Sequence, residues 1–144
     1  MKGKLLIAIA LSAVVGFVQW QWVLPYCWMY IAAYNLIPHW LAVHGVTSTL
    51  WYAVLFVHDT IINVFLCLPA ALVLRRLSPH KPLTYLAIAV LTGFLWSQRG
   101  IFEHPLPSGM GYGMLIYGAL LTLVMLPGAS ALIGLSDRRS ATSP

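Results

Sequence analysis

The residues best suited to chemistry lie in the middle of an apolar stretch, residues 49–74, which predicts a membrane-spanning helix. A carboxylate near the centre of such a helix costs roughly 2.5–3.5 kcal/mol on insertion scales, so Asp59 is expected to face protein or water. On a helix, Asn63 lies one turn after Asp59 and Tyr52 lies two turns before it. Asp59, Asn63 and Tyr52, together with His58, therefore predict a polar intramembrane site.

Helical spacing predicts that Asp59 pairs with Asn63 rather than with His58. Adjacent residues of a helix point about 100° apart, which makes His58 a poor partner for its neighbour. The Asp59 carboxyl group could exchange protons within the membrane. It could equally form hydrogen bonds that join one helix to another. Both roles stay open at this stage.

A second set of candidates flanks the predicted spans on one side of the membrane: His39, His44, Arg99, Glu103 and His104. If helical, Arg99 and Glu103 form an exposed ion pair of little energetic value; otherwise they could contact a phosphate head group or an acidic partner. His58 with a second histidine could hold a haem or a metal, although the spacing matches no common metal site. We expect no metal and no cofactor, with haem and quinone as the alternatives.

No catalytic constellation is present in the sequence. The motifs GxSxG and HExxH do not occur, and the whole chain has only three acidic residues, so paired-carboxylate catalysis has no candidates. Catalytic residues stay unknown, and a non-enzymatic protein is favoured.

The net charge is +5, but the basic residues lie singly or in pairs at the ends of apolar runs, which argues against nucleic-acid binding.

The amino-acid composition indicates that this chain lies in a lipid membrane. Hydrophobic residues make up 60% of its 144 residues and charged residues 8%, and the mean hydropathy is +0.85. A soluble domain of this size could not bury that much apolar surface. We predict an all-α polytopic membrane protein, with residues 1–144 as a single membrane domain. Its four predicted transmembrane helices are residues 5–24, 49–74, 79–98 and 113–135.

Residues 25–48 are apolar but interrupted. Pro25, Asn35, Pro38 and Gly45 divide this stretch into pieces too short to span a membrane comfortably. Its many aromatic residues suit the membrane–water interface. We therefore expect an outer interfacial or re-entrant segment, with a fifth span as the alternative.

The charge pattern predicts the orientation. Seven of the eight Lys and Arg residues fall on one side of this topology, which places both termini in the cytoplasm. Aromatic residues gather at the opposite, outer boundary: Trp20, Trp22, Trp28, Trp40, Trp51, Trp96, Tyr26, Tyr30, Tyr34, Tyr52 and Tyr112. This belt predicts either anchoring of residues 25–48 or an outer groove for a lipid, a quinone or a partner helix.

These features define a class of function rather than a specific activity. The leading expectation is a multi-pass protein of a bacterial inner membrane, the plasma membrane of the cell, that acts as an accessory or partner-binding subunit. It would act through membrane lipids, another membrane protein or self-association as a homo-oligomer. The alternatives are a small proton-linked transporter that uses Asp59, and a membrane enzyme or redox subunit that binds lipid, quinone or haem.

Overall fold

The computed structural model describes residues 2–46, 48–77, 82–99 and 110–142. Every regular element within these ranges is a helix, which confirms the predicted all-α class. Within the described residues, three helices are long and apolar enough to cross a membrane: Gly3–Tyr34, Thr49–Leu66 and Leu115–Asp137. A fourth apolar helix, Leu83–Ser97, is shorter. Composition and fold thus agree on a membrane protein.

The first long helix continues well past its predicted end at residue 24. It consists of α1 (Lys2–Val18), a π-helical turn (Gln19–Val23) and α2 (Leu24–Tyr34). Pro25 does not break it, because Pro25 lies in the first turn of α2, directly after the wider π-helical turn. The hydrogen-bond ladder has already changed register there, so the missing proline N–H interrupts it less.

The predicted interfacial segment is divided in two. Its first part extends the long helix, and its second part forms the short helix α3 (Ile37–Val43). The backbone N–H of Ile37 donates to Asn35 Oδ1 at 3.1 Å, which satisfies a free donor at the start of α3. Gly45 ends this region in the left-handed conformation at φ 62°, which favours glycine. An interfacial or re-entrant position for residues 25–48 stays a prediction.

The rest of the described chain forms four helices. α4 (Ser48–Leu66) and α5 (Leu68–Leu77) meet at Cys67, two residues before Pro69, which has no backbone N–H to donate to the preceding turn. α6 is Pro82–Ser97, and α7 is Met110–Thr142. α7 continues as one helix through Pro127.

Close contacts give the relative directions of these helices. α1 and α6 run parallel, because Gly16 lies against the backbone of Ala89 and the Trp20 ring lies against Gly93, one turn further along both helices. Gly16 and Gly93 leave no room for a side chain at these two points. Small residues allow helix backbones to approach closely in membrane proteins.

The second span, which consists of α4 and α5, runs parallel to α7. Asp59 contacts Tyr117 near one end of this pair, and Arg75 forms an ion pair with Asp137 near the other. Between these contacts, Val64 packs against Gly128. The aromatic end of the pair is therefore opposite to its charged end.

Side-chain hydrogen bonds show that the first long helix and α4 run in opposite directions. The early residue Gln19 bonds to Leu66, and the later residue Trp28 bonds to Asn63. The buried apolar core lies where α1, α5, α6 and α7 meet. Its members are Leu24, Cys67, Ala70, Ala71, Leu74, Tyr85, Ala89, Met125, Leu126 and Ala129. Many large apolar side chains outside this core are exposed, as lipid-facing residues are.

Candidate functional site

Asp59 lies at the centre of a three-residue polar cluster that joins α4 to α7. Its Oδ1 is 2.8 Å from Nδ1 of His58, and its Oδ2 accepts a hydrogen bond from the Tyr117 hydroxyl. The side chains of His58 and Asp59 are 19% and 20% exposed. Both carboxylate oxygens of Asp59 therefore have partners from within the chain.

The prediction that His58 would be a poor partner for Asp59 is wrong. The 100° separation describes the Cα–Cβ directions of adjacent helical residues. Nδ1 is bonded directly to Cγ of the imidazole, so side-chain rotation brings it within 2.8 Å of the neighbouring carboxylate. Tyr117 was not among the sequence candidates, because it lies 58 residues away on α7 and no local spacing relates it to Asp59.

The contact with Asp59 involves one nitrogen of His58, Nδ1. We assign the hydrogen of this pair to Nδ1, with the Asp59 carboxylate as the acceptor. Nε2 of a neutral imidazole then presents a lone pair. This nitrogen makes no hydrogen bond within the part of the chain that the structure describes. Asp59 thus orients His58 with one nitrogen available to a ligand.

His58 lies at the edge of two adjoining grooves. The first, which we call the histidine groove, has a volume of about 560 Å³ and is lined by Tyr30, Ile31, Tyr34, Asn35, Leu36 and His58. The second, the α4 groove, has a volume of about 490 Å³ and is lined by Ala53, Val54, Val57, His58 and Ile61. Volumes of 300–1,000 Å³ are typical of small-molecule sites. His58 is the residue common to both grooves.

A third groove lies between α4 and α7. This Tyr117 groove has a volume of about 380 Å³ and is lined by Tyr52, Ala53, Phe56, Gly113, Ile116, Tyr117 and Leu120. The rings of Phe56 and Tyr117 pack edge to face at 5.7 Å. Tyr52 is thus placed near Tyr117 and contributes to this apolar surface.

Asn63 does not form the predicted unit with Asp59. Its Oδ1 accepts a hydrogen bond of 2.8 Å from Nε1 of Trp28 on α2, whereas Asp59 bonds to its neighbour and to α7. The predicted pairing is wrong because each side chain reaches a different adjacent helix. Asn63 Nδ2 and Thr60 Oγ1 are both buried and have no hydrogen-bond partner among the described residues.

Gln19 is a buried polar residue that was not among the sequence candidates. It is buried in the π-helical turn, and its Nε2 donates to the Leu66 carbonyl at 3.1 Å and to Cys67 Sγ at 3.4 Å. A proline disturbs the helical hydrogen bonds of the preceding turn, and Pro69 lies just after these two residues. A buried amide opposite a proline kink is the signal that could have identified Gln19.

The remaining sequence candidates lie apart from the cluster. His39 and His44 are exposed on or next to α3, and His44 Nδ1 is 2.8 Å from the Trp40 carbonyl oxygen. The Arg99 guanidinium lies 4.0 Å above the Trp96 ring. Glu103 and His104 lie outside the described residues.

Within the described ranges, no three His, Cys, Asp or Glu side chains form a group that could hold a metal ion. Comparison of the chain with protein families, curated proteins and solved structures gives no match. The geometry around Asp59 is therefore the basis for assigning a function.

Proposed function

We propose that this chain is a small integral membrane subunit that binds a membrane-phase partner next to the Asp59 cluster. The observation that supports this most is that both oxygens of Asp59 are bonded to side chains of the chain itself. Polar side chains in membrane bundles commonly join helices in this way. Asp59 would hold α4 against α7 and hold His58 at the edge of open grooves, where the partner binds.

We further propose four membrane crossings with both termini in the cytoplasm of a bacterial cell. The alternating directions of the first span, the second span, α6 and α7 support this topology. The position of Arg75 and Asp137 at the end opposite to the aromatic residues also supports it. Reporter fusions at the two termini test it, and opposite locations for the termini would contradict it.

Native mass spectrometry of the full chain, gently solubilised from its own membrane, tests the binding function. We expect the wild-type protein to retain a lipid, a second protein or a second copy of itself. Asp59→Asn should reduce that retention, because the positions of His58 and α7 depend on the carboxylate. Asp137→Asn is the matched control, since it makes the same chemical change at an exposed carboxylate outside the cluster.

Two results would contradict the proposal. The wild-type protein could be detected only as a monomer with nothing bound, under conditions that preserve lipid adducts on other membrane proteins. Alternatively, Asp59→Asn could retain every bound component as well as the wild-type protein does.

Proton-linked transport is a second candidate, supported by a different observation. Thr60 Oγ1 and Asn63 Nδ2 are buried without partners among the described residues, within one turn of Asp59. Buried polar atoms of this kind are usually satisfied by water, and water beside a carboxylate provides a route for protons. In proteoliposomes, Asp59→Asn should then abolish proton uptake while leaving assembly intact. Unchanged uptake would exclude this candidate.

A further inference from the structure

We infer that the histidine groove binds a lipid-soluble quinol, a neutral aromatic ring that carries hydroxyl groups and an aliphatic tail. This inference rests on the proposed function, because it specifies the membrane-phase partner of the same site. Three properties of the grooves support it: the free nitrogen of His58, the uncharged aromatic lining, and the adjoining apolar surface of α4.

The first property is the hydrogen-bonding state of His58. Its Nδ1 lies 2.8 Å from Asp59 Oδ1, and with the hydrogen assigned to Nδ1, Nε2 is the acceptor that His58 offers to a ligand in the groove. An acceptor in an apolar setting favours a ligand that donates a hydrogen bond. A phenolic hydroxyl is such a donor, whereas the oxidised quinone offers only carbonyl acceptors. The reduced form is therefore the better match.

The second property is the lining of the groove. Tyr30 and Tyr34 provide aromatic faces suited to a flat ring. Asn35 uses its Oδ1 to accept from Ile37, which leaves its Nδ2 as a donor for a second ligand oxygen. None of the six described lining residues carries a permanent charge. A phosphate head group would find no cation among them, so a neutral ring is favoured over a phospholipid.

The third property is the path for a tail. The α4 groove begins at His58 and is otherwise lined by Ala, Val and Ile side chains. Val57 and Ile61 are exposed, as side chains that contact an aliphatic chain in lipid would be. A ring that bonds to His58 would thus have apolar surface available for its tail. This arrangement distinguishes a tailed quinol from a small water-soluble phenol.

A native mass spectrometry titration tests the inference, with the full-length protein in detergent and decylubiquinol kept reduced under anaerobic conditions. His58→Phe keeps a flat ring but removes Nε2, and it should weaken apparent binding about tenfold or more, the effect of one lost hydrogen bond. His44→Phe makes the same chemical change at an exposed histidine outside the groove and should leave binding unchanged.

Two further measurements keep the test informative if His58→Phe fails to fold. Asn35→Asp preserves the acceptor for Ile37 but removes the amide donor, and it should weaken binding several-fold. The dimethyl ether of decylubiquinol has no hydroxyl to donate and should bind the wild-type protein about tenfold more weakly.

The outcomes separate the inference from the proposed function. Equal binding of decylubiquinol by the wild-type, His58→Phe and Asn35→Asp proteins would overturn the quinol assignment. Phosphatidylglycerol adducts that depend on His58, without quinol adducts, would also overturn it but would leave the binding function standing. No adduct of either kind that depends on His58 would overturn the quinol assignment, whereas the proposed function fails only if the wild-type protein also retains no protein partner or second copy that Asp59→Asn loses.

Discussion

Two parallel helix pairs in this molecule are held together by different chemistry. α1 packs on α6 with glycine at the contacts, and a Cβ atom at Gly16 would overlap the Ala89 carbonyl oxygen. The second span and α7 instead meet through Asp59 and Tyr117 at one end. Close glycine contacts hold the first pair together, whereas the second pair has polar contacts at both ends and Val64 packed against Gly128 between them.

This difference distinguishes the helix pair that stabilises the fold from the pair that borders the candidate site. Backbones that touch leave no volume for a ligand, so the glycine pair can only provide rigidity. A polar bond between two side chains holds helices further apart, and the histidine, α4 and Tyr117 grooves border the Asp59 cluster. We therefore expect substitutions in the first pair to affect stability alone, and substitutions around Asp59 to affect both stability and binding.

The largest stability effect is expected at the glycine contact. Gly16→Ala should lower the free energy of unfolding by about 3 kcal/mol, because the added methyl group overlaps backbone atoms that cannot move aside cheaply. Gly134→Ala is the matched control in α7, where a Cβ atom meets nothing within 4 Å. It should be neutral or stabilising by up to about 1 kcal/mol. Denaturant titration in mixed micelles measures both, and equal effects would contradict close packing at Gly16.

The polar pair should show a smaller loss. Asp59→Asn should lower the free energy of unfolding by about 1–2 kcal/mol, since charged hydrogen bonds to Tyr117 and His58 become neutral or are lost. A double-mutant cycle with Tyr117→Phe should give a coupling energy above about 0.5 kcal/mol. Strictly additive effects would show that the two side chains do not interact.

The contact between α2 and α4 is expected to be weaker still. Trp28→Phe removes the donor to Asn63 but keeps most of the ring, so it should lower the free energy of unfolding by about 0.5–1 kcal/mol. Trp22→Phe, at an exposed tryptophan of the π-helical turn, should change it by less. The prediction fails if both substitutions have the same effect in the same denaturant titration.

The smallest effect is expected at the charged end of the polar pair. Arg75 and Asp137 are 45% and 58% exposed, so their ion pair is screened by solvent. Arg75→Gln should lower the free energy of unfolding by under about 1 kcal/mol, and high salt should remove the difference. A larger loss that persists in high salt would assign a structural role to this end.

The sequence predicted the features that depend on composition and local pattern. The all-helical class followed from long apolar runs. The end of the first helix was missed, because the π-helical turn that carries the chain past Pro25 has no simple sequence signature. The number of membrane crossings stays a prediction.

The candidate site was only partly predictable. Asp59 and His58 were selected for their polarity in an apolar run, but their bond to each other depends on side-chain rotation rather than on spacing. Tyr117 and Trp28 approach α4 from other helices, and no periodicity within α4 specifies them. Contacts between helices distant in sequence require the packed structure.

The central claim is that Asp59 holds His58 through Nδ1 and leaves Nε2 as a free acceptor. Nitrogen-15 NMR of histidine-labelled protein in lipid tests it directly, with the His58 signals assigned by their loss in His58→Phe. We expect a protonated Nδ1 and an unprotonated Nε2, and we expect the Nε2 signal to shift when decylubiquinol is added. A protonated Nε2 with a bare Nδ1, unchanged by Asp59→Asn, would contradict this account of the site.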